Sequence, residues 1–431
     1  MKIDVLILIF ISFYTIIISY IFLNISRNQK EFLILMYGGM YFYSGVCASY
    51  FNSNSDKLYF LYYMIFILIF SISFYFVNKF ISKRIDTIIN NRNFINIDKN
   101  WSWNLILISY IFICIINLIY PTMKLNLIFS PPNPNLFNEI NLKKELYVEN
   151  DIYKYIIYYS EILIFPFFLL SLYKLKKNKY KIFLIICLII YLNFIRYEYI
   201  SRSQIIILFG TYLVGNYLIE KKIKHSQLVL FLIIIPIFAA FLYNYTYIRL
   251  GSISKEKNIF SAGIRLIEEE TSLGYKWGGA ILENNLIADF KQYANWLLYL
   301  PFPRIFKWNK QQYVINYEMS ENLLNVSKDS PRFYVVLSGV VAESIFIYGK
   351  MFFWIHAVFI GIISAVLMNI LSIQKEMAYI KAFIILTFAF HLNRAGIVGP
   401  MGILVNQFIL FYIYIYVSLN KRTKEKNQTY K

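Results

Sequence analysis

The sequence predicts an all-α protein: a polytopic integral membrane helix bundle of about eleven transmembrane helices, with one large external loop containing short helices. Three observations lead there. Hydrophobic residues fill 58% of the 431 positions and charged residues only 16%, which argues against a single soluble core. Mean hydropathy is positive. The apolar residues also come in runs of about 20, the length a helix needs to cross a bilayer core. They lack the strict alternation of β-barrel strands.

In chain order the predicted spans cover residues 4–23, 32–51, 58–80, 101–120, 154–173, 182–196, 203–219, 228–248, 350–371, 377–392 and 398–419. The first run is followed by no small-residue cleavage signature and reads as an uncleaved span. Trp101, Trp103 and the tyrosines at run ends fit an aromatic interface belt. Between the eighth and ninth runs lies a stretch, 249–333, that carries 11 Lys and Arg against 9 Asp and Glu, a foldable mixture. Loops this long in a compact protein are usually functional. Within it, NNLIADFKQYANWLLYL has helical period and enough apolar surface to lie on the membrane or the bundle. The run from Val335, VVLSGVVAESIFIYG, is short and holds Glu343, so it reads as a re-entrant or interfacial helix. The organisation expected is therefore a bundle of eight spans over 1–248, the external loop with its re-entrant helix over 249–349, and three spans with a basic tail over 350–431.

The net charge of +19 is spread over short clusters between apolar runs. That is a membrane-topology pattern, unlike the basic groove of a nucleic-acid binder. The lysine-rich linkers KLKKNKYK, EKKIKH, IQKEMAYIK and the C-terminal tail recur at every second gap, which makes those gaps cytoplasmic, the C-terminus cytoplasmic and the N-terminus external. Cys47, Cys114 and Cys187 all lie in predicted spans and form no pair with metal or redox spacing.

Of the eleven arginines, seven fall on the predicted outer face: Arg196, Arg202, Arg249, Arg265, Arg304, Arg332 and Arg394. Topology needs positive charge inside, so outer arginines at span ends need another cause. A guanidinium offers a planar fork of donors matched to phosphate, where lysine is a point charge. Such a set could clamp a pyrophosphate at headgroup depth. The alternative is that these side chains snorkel to lipid phosphates or pair with local acids. Glu343 needs a partner in its apolar run and could hold a sugar hydroxyl or act as a base. His391, three residues before Arg394, could take a proton from an attacking hydroxyl. His225 and His356 have no company that suggests catalysis. Glu268, Glu269 and Glu270 are consecutive, so they point in different directions on a helix and read as a solvated face, not a metal cage. LGYKWGGA from Leu273 lacks a P-loop ending and reads as a loop signal.

Four segments together resemble elements of the O-antigen polymerase family, the Wzy-type oligosaccharide repeat unit polymerases. SRSQIIILFGTYL from Ser201 is similar to that family's Arg-bearing mid-chain element, although Ser203 stands where the family has glycine. LYLPFPRIFKWNK from Leu298 resembles its Pro-Arg loop segment. SGVVAESIFIYG from Ser338 resembles its Gly-Glu segment after the long loop, although three residues separate Gly339 from Glu343. LNRAGIVGP from Leu392 resembles a second Arg-Gly element. The resemblance covers roughly 180–420. It implies a glycosyltransferase without cofactor or metal on the outer face of the bacterial cytoplasmic membrane. Such an enzyme moves a growing chain from undecaprenyl pyrophosphate onto the terminal sugar of another lipid-linked repeat unit, and so builds O-antigen or capsule. On that reading Arg202 and Arg249 bind pyrophosphate, with Arg196, Arg304, Arg332 and Arg394 as further contacts, and Glu343 or His391 is the base. The partners expected are the lipid-linked oligosaccharide, as donor and acceptor, the bilayer and a chain-length regulator, with no nucleic acid. An O-antigen ligase, or a flippase for the same lipid-linked unit, are the alternatives.

Overall fold

The computed structural model describes residues 5–26, 29–44, 53–89, 165–175, 177–190, 202–222, 240, 243, 258–300, 315–328, 330, 333–372, 375–408 and 411. Among them every regular element is helical. Three helices are long and apolar enough to cross a membrane: α1 (Val5–Ile25), the portion Asn54–Ser82 of α3 (Asn54–Ile89), and Trp354–Leu371. They fall on the predicted first, third and ninth spans. The predicted span 101–120 and most of 228–248 lie outside the described residues.

Two compact units emerge, and neither is continuous in sequence. The first gathers Met1–Ile88, Gly263–Leu371 and Ile384–Gly402; the second gathers Ile89–Ala262, Ser372–Phe383 and Ile403–Lys431.

In the first unit, α2 (Lys30–Tyr43) packs on α1 and α3. Tyr41 Oη and Ser19 Oγ share a hydrogen bond at 2.8 Å, and Tyr37 Oη and Ser71 Oγ one at 2.7 Å. In apolar surroundings each hydroxyl needs such a partner, since a lost hydrogen bond there is not replaced by water. Phe32 stacks on Phe74 at 5.3 Å and meets Phe388 edge-on. The start of α3 is a reciprocal cap, with Ser53 N–H donating to Asp56 and Asp56 N–H to Ser53 Oγ. Helix α1 leaves most of its large apolar side chains exposed, Phe10 and Leu6 among them, as a lipid-facing helix would.

The described part of the long loop is mostly helical. Helix α4 (Ile259–Glu283) runs for 25 residues, α5 (Phe290–Tyr299) is capped by Asp289, and α6 (Ile315–Leu324) follows. The expectation of short helices thus holds for two of the three. LGYKWGGA, read from the sequence as a loop, lies inside α4. Its glycines admit α3 at close range: a Cβ on Gly278 would fall on the Tyr59 ring and one on Gly279 on the Asp56 carboxylate. A three-residue spacing of small residues is how helices in apolar surroundings approach closely. Helix α4 ends in a Schellman turn, with Asn285 at φ 49° and Leu286 N–H donating to the Ile281 carbonyl at 3.1 Å.

Helix α7 (Gly339–Phe352) bends at Gly349, where φ is 73° and ψ is 176°. It is too short to span and is buried over its first nine residues. Helix α8 (Trp354–Leu371) then continues, tied to α3 by Asn369 Nδ2 donating to Asn78 Oδ1 at 2.7 Å.

In the second unit, Asn178–Ile190 packs on Arg202–Glu220. The buried Lys181 ammonium donates to Tyr379 Oη at 2.7 Å and to Asn216 Oδ1 at 3.3 Å, and Tyr379 Oη donates to Asn216 Oδ1 at 2.6 Å. Phe383, Phe408 and Phe411 form a ring cluster with Phe165 and Phe167.

Candidate functional site

The polar centre of the first unit is the turn Asn393–Ile397. It follows a π-helical segment, Thr387–Leu392, which widens the helix just before the turn. Such insertions are frequent at functional sites. Four helices address the turn. From α3, Tyr63 Oη donates to Asn393 Oδ1 at 3.3 Å. From α6, Asn316 Nδ2 donates to the Ala395 carbonyl at 3.4 Å. Asn393 Nδ2 donates back to the Ala389 carbonyl at 3.0 Å, which holds the π segment onto the turn.

From α4 comes Glu270. Its carboxylate accepts from Arg394 Nε at 2.5 Å and from Arg394 Nη2 at 2.9 Å, a bidentate pair whose side chains are 16% and 14% exposed. The fork that the sequence offered to a pyrophosphate is therefore taken up by a local acid. The solvated face expected of the three glutamates holds for Glu268 and Glu269, which are exposed, but not for Glu270. A signal for this was present in the sequence: Glu270, Gly274 and Gly278 recur at four-residue intervals and share one stripe of a helix. The stripe that docks on α3 carries the glutamate inward.

From α7 comes Glu343, fully buried. Its Oε2 accepts from the Ile397 N–H at 2.6 Å, while Oε1 has no hydrogen-bond partner. Gly396, at φ 84°, makes the approach possible, because a Cβ there would fall on the carboxylate. Gly339, at φ 80°, brings the start of α7 against the Asn393 carbonyl. Burial pushes the Glu343 carboxyl up to about 8, against the smaller opposing effect of the Ile397 hydrogen bond. That range, close to neutral pH, suits a group that must both hold and release a proton. The same burial closes Glu343 to solvent, so a reacting hydroxyl reaches it only after the residues packed around it move.

The structure thus joins two segments some fifty residues apart that the sequence had singled out separately, SGVVAESIFIYG and LNRAGIVGP. His391 sits in the π segment, half-buried, with its ring against Gly399. Arg202 is the first residue of the helix Arg202–Glu220, in the second unit. Arg196, Arg249, Arg304 and Arg332 lie outside the described residues. Asn393 and Asn316 belong to the site but carried no sequence signal, since an asparagine that caps a turn looks like any other. Among the described residues no group of three or more His, Cys, Asp or Glu could hold a metal ion. His356 is buried and pairs with Tyr293 Oη at 3.1 Å, in a ring cluster with Tyr348. No family model, curated protein or solved structure matches this chain.

Proposed function

We propose that this chain is a multi-spanning protein of the bacterial cytoplasmic membrane, with its N-terminus outside and C-terminus cytoplasmic, that polymerises lipid-linked oligosaccharide repeat units on the outer face. The observation that carries the reading is the buried Glu343 carboxyl held against the Arg394 turn, with one oxygen unpartnered and its proton affinity raised towards neutrality.

The reaction breaks the bond between the anomeric carbon of the donor chain and its pyrophosphate oxygen. A new bond forms from that carbon to the acceptor sugar's hydroxyl oxygen. The hydroxyl proton passes to His391, or to Glu343 when its carboxyl is ionised, and undecaprenyl pyrophosphate leaves as the anion. Charge builds on that leaving group, which preorganised arginine forks can neutralise. We assign this to Arg202 and Arg249, assisted by Arg196, Arg304 and Arg332. Arg394, already engaged by Glu270, positions the turn that presents Ile397 to Glu343. Holding two bulky lipid-linked substrates side by side supplies the remaining rate acceleration through proximity.

Deletion of the gene in a strain that makes surface polysaccharide tests this. Lipopolysaccharide capped with one repeat unit and no ladder supports a polymerase. Loss of every attached repeat assigns the chain to ligation instead, and repeats trapped on the cytoplasmic leaflet assign it to transport.

A further inference from the structure

At the far end of α7 from the Asn393–Ile397 turn lies a feature the proposed reaction does not use. The Gly349 bend and the Schellman turn of α4 enclose a groove of about 300 Å³, at the low end of the range for small-molecule sites. Its walls are Ile281, Leu286, Ile345 and Tyr348, and its lip is Ile287, Met351 and Phe352. The lip residues are 65%, 80% and 53% exposed. Large apolar side chains at such exposure mark a surface that meets something apolar. Lys350 is the basic residue of the lining, and its ammonium reaches Asn285 Oδ1 across the mouth.

Position selects the occupant. Phe352 is two residues from Trp354, where the span-capable α8 begins. A Trp and a Lys at the start of a span sit at headgroup depth, the aromatic ring among the interfacial groups and the ammonium beside lipid phosphates. The groove therefore opens where an acyl chain meets its phosphate, with apolar walls below and one positive charge at the rim.

We infer that this groove holds one acyl chain of an anionic membrane phospholipid, with the lipid phosphate on Lys350. The single ammonium gives the site its preference for net negative headgroups, and the Gly349 bend provides the room. This rests on the membrane location of the chain and not on the polymerase reading, so it stands or falls separately.

The full-length protein is reconstituted in nanodiscs containing phosphatidylglycerol or phosphatidylcholine with a photoreactive diazirine on one acyl chain, irradiated, and mapped by peptide mass spectrometry. Phosphatidylglycerol is expected to concentrate its label on Leu286, Ile287 and Met351, with about fivefold less from phosphatidylcholine, the factor one interfacial lysine supplies. Lys350→Glu should bring the two lipids to the same level. Ile287→Trp, which fills the exposed mouth, should remove the groove label while leaving that on α1 unchanged. Equal labelling by both lipids in the unmodified protein, or label spread evenly over the lipid-facing helices, would overturn the inference. So would a photoreactive polyprenyl phosphate that displaces phosphatidylglycerol from the groove, because the site would then belong to the isoprenoid substrate.

Discussion

Neutralising Arg394 should cost stability before it costs chemistry. The pair with Glu270 has two hydrogen bonds, at 2.5 and 2.9 Å, and both side chains are about six-sevenths buried. Removing one member leaves the other charge without compensation, which costs about 3–5 kcal/mol at a fully buried site. The residual exposure places Arg394→Gln and Glu270→Gln at the lower end, about 3 kcal/mol each. For a unit of roughly 200 residues, that corresponds to a fall in melting temperature of about 6–12 °C. The double variant should be less destabilised than the sum of the singles, with a coupling of about 2 kcal/mol, because no charge is then stranded. Thermal unfolding of the purified protein in nanodiscs, for all four members of the cycle, measures this. An Arg394→Gln protein that melts with the unmodified one and yet makes no polymer would show that the Glu270 pair is not what Arg394 is for, and would return Arg394 to the substrate.

Three other outcomes follow from the same site. Glu343 holds a proton in the folded state up to about pH 8, against 4.5 for an ordinary glutamate, so its contribution to stability is complete below 4.5 and is lost as pH rises through 8. Over that window melting scans should show stability falling by about 1.4 kcal/mol per pH unit, and Glu343→Gln should flatten the slope. Gly396→Ala should destabilise by about 1–3 kcal/mol from its backbone conformation alone, with a further loss from the Glu343 collision that Glu343→Ala relieves; chemical denaturation of the three variants separates the parts. Arg202→Lys should remove most polymer from a gel of surface polysaccharide while membrane insertion is unchanged, since a point charge does not replace a fork; full ladders would take Arg202 out of the mechanism.

The parts of the fold that were legible are those fixed by local composition. The runs behind α1, α3 and α8 are apolar throughout, and no tertiary contact is needed to recognise them. That the run over 335–349 is no full span was also visible, since it holds Glu343 and is too short, whereas the bend at Gly349 was not. Helix α4 was harder to read. It mixes glutamates with glycines, and glycine is a loop signal unless it faces another helix, which only the docking on Tyr59 and Asp56 reveals. The same problem hid Glu270 among its neighbours: three consecutive acids are equivalent until one knows which stripe of the helix is buried. The π segment at Thr387–Leu392 has no local signature, because its register is held by Asn393 against the Ala389 carbonyl and by Tyr63 from a distant helix. Glu343 could be singled out because a carboxylate in an apolar run needs a reason. That its partner would be the backbone of Ile397 depended on the positive φ of Gly396.

The claim that this chain joins repeat units is tested most directly with the purified protein in liposomes, given undecaprenyl-pyrophosphate-linked repeat units and no membrane gradient. Products of two and more repeats on a single lipid are expected, with one undecaprenyl pyrophosphate released for each bond formed, and loss of both in Arg202→Lys. Repeat units that remain single, with no pyrophosphate lipid released, would contradict the claim.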